Sequence, residues 1–372
     1  MEVERSNMST IVWNRKKLLS NIKKIKGLVC SNGMDFSLVS KFALSYPDLV
    51  CPLLDDSEVN GFCDSNLCNI SPVLKRVKNQ NLSASLIKCS LSSIKYLYSD
   101  AFDKSCLSNG HELRLYISDT ALLDALASLP SLPNVCVVLI TENGDLKDGF
   151  YPEQILDIAK TYKQLAIKGI STNFACLSGL LPTSGKVMEF NELSHKLSET
   201  TNRPPFLSIG GTVVYDLLTG DAIKGCAQEV RMGEGVFFAY NSSAQKEIAE
   251  LESCAALLKG EILETRWKNV DAVQSGGFNA LGERLSASSQ ASCGRRRRAV
   301  LDFGVLAAMQ KNLRPCDSGV FIVAQTFDFT VVDITDSAQE YKAGDYIAFY
   351  VDYGAASCLM MNSFIGKEVI DG

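Results

Sequence analysis

Lys41 closes the apolar run "DFSLVSKFALSYP". A strand carrying Phe36, Leu38 and Val39 is expected to be buried on both faces and should not finish in an ammonium group. Desolvation at the C-terminal end of a strand lowers the preference of a lysine for its charged form. The neutral amine can then attack an aldehyde and form a Schiff base. The other reading is a lysine that snorkels to solvent at the strand edge, and Lys41 alone does not exclude it.

Two further segments carry suggestive chemistry. "LSIGGT" offers the hydroxyls of Ser208 and Thr212 beside Gly210 and Gly211, a turn whose amides could meet an anion. As a lone motif it is weak, because most Ser-Gly-Gly turns are only turns. "VRMGEGVFF" places Arg231 inside an apolar run, followed by Gly233 and Glu234. An arginine there is expensive unless paired, and its plain structural explanation is an ion pair with Glu234.

These residues need a scaffold that gathers strand ends. Amphipathic stretches such as "KKLLSNIKKIKGLV", with Leu18, Ile22, Ile25 and Leu28, alternate with short apolar runs over the first two-thirds of the chain. The strand candidates are "FSLVS", "GFCDSN", "LIKCS", "LRLYIS", "VCVVLI", "IKGISTNFA", "FLSIGG" and "VRMGEGVFF". Several are continuously apolar, as in a parallel sheet covered on both faces. The pattern is α/β and predicts a (β/α)8 barrel over residues 14–241, whose chemistry would lie at the C-terminal strand ends. An open doubly wound sheet is the alternative, and no G-x-G-x-x-G loop supports a dinucleotide form of it. In the barrel, "LSIGGT" and "VRMGEGVFF" are neighbours, so a lysine, an anion cradle and an arginine would share one mouth.

Beyond Asn241 the segments "GEILETRW", "RRAVLDFG", "SGVFIVAQTFDFTVVDI" and "DYIAFYVDY" are rich in β-branched and aromatic residues. They predict a mainly antiparallel β domain over residues 242–372, which "STIVWNR" near the start could join with a strand. "RLSASSQASCGRRRR" reads as a mobile surface loop, with Arg295 to Arg298 at its solvated edge.

Composition narrows the function classes. The 372 residues are 46% hydrophobic and 21% charged, as in an ordinary soluble globular protein. A net charge of −5 gives no reason to expect nucleic acid as a partner. No apolar run reaches the length of a bilayer crossing, and "MEVERSNMST" lacks the apolar core of a signal peptide. The thirteen cysteines form no C-x-x-C pair, which suits reduced thiols in a cytoplasmic protein. With only His111 and His195 present, neither a zinc site nor a Ser-His-Asp site is expected.

The set resembles the PLP-dependent alanine racemase-type barrels (fold type III), and within them the ornithine racemase branch of amino-acid racemases. "VSKFALSYPDLV" is similar to the segment with the PLP lysine, and "CDSNLCNI" to an aspartate–serine segment after the second strand. "LITENGDLKDGFYPEQ" resembles a Gly-Asp-Leu-Arg-Glu-Gly stretch, and "GISTNFACLSGLLPT" a Gly-x-x-Thr-Asn-x-x-Cys stretch. "LSIGGTVVYDLL" and "VRMGEGVFF" match the phosphate loop and the strand with the pyridine-facing arginine. In the second domain "GGFNALGE", "RRRRAVLDFG" and "VDITDSAQEYKAGDYIAFYVDYGAASCLMMNS" keep the family's order and spacing.

The resemblance implies roles for particular residues. Lys41 would hold pyridoxal 5'-phosphate covalently and shuttle the α-proton on one face of the substrate. Ser208, Thr212, amides near Gly211 and Gly233, and the Tyr353 hydroxyl would bind the phosphate. Arg231 would face the pyridine nitrogen and keep it unprotonated, suppressing transamination. Without the resemblance, Tyr353 would be an amphipathic residue of an alternating strand. Racemisation needs a second acid/base on the opposite face. The family's tyrosine for this task has no clear match, and Cys176 is the substitute, its alternative being a buried cysteine. Asn173 would contact cofactor or substrate. Asp145 and Lys147 are candidate substrate contacts, or simply a surface turn. A homodimer and a small amino-acid substrate follow from the same resemblance.

Several positions depart from the family pattern. "SIGGT" stands for Ser-Gly-Gly-Asn-Ser, with Ile209 for a glycine and Gly211 for the asparagine. Lys147 replaces an arginine, a change that alters bidentate carboxylate binding. Thr326 to Phe329, "TFDF", replaces Ser-Ser-Asp-His, and "DFGVLAAM" lacks a Gln-Asp pair. The expectation is a PLP-dependent racemase that interconverts the enantiomers of ornithine or another basic amino acid by α-proton abstraction. The alternatives are a non-catalytic PLP-binding barrel and a PLP-barrel decarboxylase, which usually has an acidic residue at the ring nitrogen.

Overall fold

The computed structural model describes residues 8–107, 110–270, 277–282 and 294–372. They form two compact units, one from Lys16 to Ser253 and one joining the chain up to Arg15 with Cys254–Gly372. The serine-rich loop expected ahead of the arginine run lies outside the described residues.

Strand β1 (Thr10–Asn14) belongs to the second unit. The first unit is a closed parallel barrel of β2 (Asp35–Val39), β3 (Gly61–Asp64), β4 (Ser83–Leu86), β5 (Glu112–Ile117), β6 (Val135–Ile140), β7 (Ile167–Asn173), β8 (Leu207–Gly210) and β9 (Glu229–Met232). Closure is by β2 on β9, with Ser37 opposite Arg231 and Leu38 opposite Met232. The first helix, Arg15–Ser31, buries Leu18, Ile22, Ile25 and Val29. The stripe ends on Val29 rather than the expected Leu28 because 3.6 residues per turn carries the buried face there.

Two strand expectations shift. The third candidate, "LIKCS", is displaced: β4 is Ser83–Leu86, its small serines hiding it from an apolar scan. Ser90 instead caps the next helix, accepting from the Ser93 amide at 3.1 Å. The eighth strand stops at Met232, and "EGVFF" is the helix Glu234–Phe238, with Val236 and Phe237 buried. A short hairpin, β10 (Tyr240–Asn241) with β11 (Lys246–Glu247), follows. The barrel unit runs past Asn241 to Ser253 because Asn21, in its first helix, binds both Val236 O and Glu252 O at 2.9 Å.

The second unit is an antiparallel sheet built on β12 (Ala256–Val270), β13 (Gly294–Leu301), β14 (Leu313–Pro315), β15 (Phe321–Gln325), β16 (Thr330–Asp333) and β17 (Tyr346–Val351). A last strand, β18 (Gly366–Ile370), pairs parallel with β1, which pairs antiparallel with β12. The run Arg295 to Arg298 is not a loop edge; it lies within β13. Arg296 pairs with Asp333 and Asp336, Arg298 with Asp333, Arg297 donates to Tyr341 O, and Arg295 stacks on Trp267. Carboxylates and an aromatic ring from neighbouring strands make an arginine-rich strand tolerable. "TFDF" is the turn between β15 and β16, where Thr326 N donates to Phe329 O at 2.9 Å. Leu306, Phe327, Phe329, Met361 and Phe364 are all exposed on this unit.

Candidate active site

Strand β2 ends at Val39 and the chain enters a 3-10 turn, Lys41–Ala43, so Lys41 emerges at the barrel's C-terminal mouth. Leu44 and Ser45 then adopt left-handed backbone, φ 53° and 42°. Asp64, at the end of β3, holds this strained bend: Ser45 Oγ donates to its carboxylate at 2.6 Å and also meets Ser40 Oγ at 2.8 Å. Burial lowers the Lys41 pKa from the ordinary lysine value. The nearby Lys147 lowers it further, while Cys176, Asp64 and Cys63 oppose the shift. Cys176 and Lys147 therefore lie within electrostatic reach of Lys41. Among the described residues no hydrogen bond or ion pair holds the Lys41 ammonium.

Arg231 does not pair with Glu234. One of its terminal nitrogens donates to Ser208 Oγ, the other to Thr172 O at 3.1 Å, and the guanidinium lies 5.0 Å from the centre of the Tyr116 ring. Ser208 is not at the turn but inside the barrel, where its hydroxyl donates to Glu229 and accepts from Arg231 and Tyr116. One donor and two acceptor positions are thus all used, which leaves none for a phosphate. Glu229, also buried, accepts from Ser37 Oγ at 2.8 Å and from Arg114 Nη1. Burial alone would raise its carboxyl, but the Arg114 and Arg231 guanidiniums and the hydroxyls of Ser208 and Ser37 hold it below the usual range. Sequence reading missed Glu229, Arg114, Tyr116 and Ser37. The available signal was a charged residue recurring at inward positions of β5 and β9.

The glycines around the ends of β8 and β9 leave no space for side chains. A Cβ at Gly210 would fall 2.5 Å from Arg231 Nη2 and 2.5 Å from Asn173 Oδ1. One at Gly233 would fall 2.6 Å from Val39 O, next to the Lys41 turn. Gly211 has φ 109°, and its amide is already given to Arg231 O at 3.1 Å. Thr212 opens the turn after it; its Oγ1 accepts from the Gly235 amide at 2.9 Å, leaving its proton to donate. The Thr212 and Val213 amides begin a 3-10 turn and have no acceptor within it.

Asp145 is a loop anchor. It accepts from the amides of Cys176, Leu177 and Ser178 at 2.9, 3.0 and 2.9 Å, and from Ser178 Oγ at 2.9 Å. Burial would raise its carboxyl, but these donors hold it below the ordinary value. The clamp fixes the chain after Ala175, whose φ is 53°, and presents Cys176 exposed rather than buried. Asn143 completes the tie, donating to Thr172 Oγ1 at 2.9 Å and to Asn173 O at 2.8 Å. Lys147 pairs with Asp148 at 3.0 Å and is exposed. Tyr353 lies in the second unit, where it opens the helix Tyr353–Met361 instead of continuing a strand.

The alanine racemase N-terminal domain model matches residues 14–241. The chain belongs to the alanine racemase family. This places it among the PLP-dependent amino-acid racemases, which are isomerases. It is 27% identical over 367 residues to an ornithine racemase of Acetoanaerobium sticklandii, covering 95% of this chain and 97% of that protein. It is 24% identical over 361 residues to a lysine racemase of Thermotoga maritima, covering 96% and 97%. Its fold matches a solved alanine racemase of Bartonella henselae with covalently bound pyridoxal phosphate at TM-score 0.70 and 12% identity, covering 98% of this chain and 99% of that one. An alanine racemase of Clostridium difficile 630 matches at TM-score 0.71 and 13% identity, covering 99% and 97%.

The residues of this family member fit the cofactor. A desolvated lysine at a strand end suits an aldehyde. Glycines with no room for a Cβ, beside the free Thr212 proton, suit a phosphate. A buried guanidinium offers only donors, so it has no proton-accepting role toward a ring nitrogen.

Proposed function

We propose that this racemase interconverts the enantiomers of a basic amino acid, with ornithine and lysine the first substrates to test. Lys41 at the C-terminal end of a barrel strand, held by no hydrogen bond or ion pair among the described residues and disfavoured as an ammonium by burial, is the observation that carries the reading. The two relatives named for ornithine and lysine support the substrate class.

PLP, when bound, supplies the electron sink that makes an α-proton removable. Lys41 would anchor it and exchange the proton on one face; Cys176, held by the Asp145 clamp, would exchange it on the other. Thr212 and the amides at the ends of β8 and β9, near Gly211 and Gly233, would bind the phosphate, and Arg231 would face the ring. Asn173 and Lys147 would contact the substrate. Asp145 and Ser208 take positioning roles here, since their hydrogen-bonding capacity is used within the protein. We place the enzyme in the cytoplasm as a homodimer. The described cysteines are all free, and no helix among the described residues is long and apolar enough to cross a membrane.

The test is chiral analysis of ornithine, lysine and alanine incubated with holoenzyme and with Lys41→Ala and Cys176→Ala. Both variants should lose racemisation by a factor of about 100 or more, the range of a general acid–base contribution. Normal racemisation by Lys41→Ala would falsify the mechanism, and by Cys176→Ala its second base. Bound PLP with no chiral change in any substrate would instead leave a carrier.

A further inference from the structure

We infer that Glu229, acting through the Ser208 hydroxyl, is the positioning residue that orients Arg231; this rests on the reading that Arg231 faces the pyridine ring. Hydrogen-bond bookkeeping fixes the direction of the relay. A guanidinium only donates, so Ser208 must accept from Arg231. The single Ser208 proton then goes to Glu229, which as a carboxylate only accepts.

The far end of the relay is also held. Ser37 of β2 and Arg114 of β5 bind the other oxygen of Glu229. The Tyr116 hydroxyl lies 3.2 Å from Ser208 Oγ and 3.3 Å from a Glu229 oxygen, its one proton shared between them, while its ring lies against the guanidinium. Thr172 O takes the second Arg231 nitrogen, and Gly210 leaves the space the guanidinium occupies. Arg231 is thus gripped at both terminal nitrogens by different strands. Of these groups Glu229 alone supplies a negative charge to balance Arg231 inside the barrel. A plain Glu229–Arg114 ion pair would not need the Ser208 link, and that difference separates positioning from structure.

The experiment compares Ser208→Ala, Glu229→Gln, Ser37→Ala and Arg231→Lys as PLP-loaded proteins. Three readouts are taken: the visible absorption maximum of the bound cofactor, the 2-oxo acid released per racemisation, and the thermal midpoint. Ser208→Ala and Glu229→Gln should move the maximum in the direction that Arg231→Lys does. Both should raise 2-oxo acid release about tenfold, the worth of one charge-assisted hydrogen bond. Ser37→Ala, which removes only one of the two donors to the other Glu229 oxygen, should lower the thermal midpoint and move the other two readouts far less than Ser208→Ala does. If Glu229→Gln does not fold, Ser208→Ala decides. The relay is overturned if Ser208→Ala keeps the parent spectrum and product ratio while Arg231→Lys changes both, or if Ser37→Ala matches Ser208→Ala. No change in Arg231→Lys would show that the ring-facing reading itself is wrong.

Discussion

Lys41, the residue we propose to be reactive, is a lysine whose charge the fold opposes. Burial and Lys147 both disfavour the Lys41 ammonium, so its amine is freer at a given pH than that of an exposed lysine. In the cofactor-free protein, Lys41 should be acylated with a pH midpoint below the ordinary lysine value. Lys147→Met should move that midpoint upward, because it removes a like charge; peptide mapping across a pH series measures both. A midpoint unmoved by Lys147→Met would show that the two side chains do not sense each other. Lys41 was legible in the sequence because a cation ending an apolar strand is costly wherever the strand lies. Asp145 was read as a candidate substrate contact or a surface-turn residue, and its hold on the loop of Cys176 was not foreseen. Its partners are backbone amides some thirty positions away, and backbone amides leave no mark on sequence.

At the scale of elements, the barrel carries its polar groups on inward positions of β2, β5, β8 and β9, which meet only on closure. Arg114 bridges Glu229 and Glu112, and Glu112 also pairs with Lys168. Glu229→Gln removes the anion from a buried pair and should cost about 3 kcal/mol of stability at neutral pH, read by denaturant unfolding. The pH dependence has a definite sign. The Glu229 pKa is lower folded than unfolded, so its contribution is present above the unfolded value, about 4.3. It is lost as the pH falls through the lower folded value. The acid limb of the parent's stability curve should therefore be steeper than that of Glu229→Gln, and parallel limbs would count against a charged Glu229. The strand order was legible from the alternation of apolar runs with helical stripes. Strand ends were less so: β4 is serine-rich, and the last barrel strand yields at Gly233 to a helix despite β-prone residues.

For the molecule as a whole, the second unit exposes Leu306, Met361 and Phe364 at 64%, 63% and 78%. Asn362, next to Met361 and two residues before Phe364, donates its Nδ2 to Leu306 O. We propose that these exposed apolar side chains are covered by a second copy. Phe364→Ser combined with Met361→Ser should shift the protein toward monomer in sedimentation velocity while leaving the thermal midpoint within a few degrees. An unchanged sedimentation coefficient would remove this patch from the interface. Neither side chain stood out in the sequence, where an exposed phenylalanine is indistinguishable from a buried one.

The sequence by itself determined the barrel followed by an antiparallel sheet, the lysine that ends an apolar strand and the glycine-rich strand ends. Each depends on local pattern: apolar periodicity, a misplaced charge, or a residue without a Cβ. Only the tertiary structure decided that Ser208 accepts from Arg231 and donates to Glu229, and that Asp145 holds the loop of Cys176. Those contacts join residues from different strands and loops. A hydrogen bond is set by the position of two groups in space, which spacing along the chain does not specify.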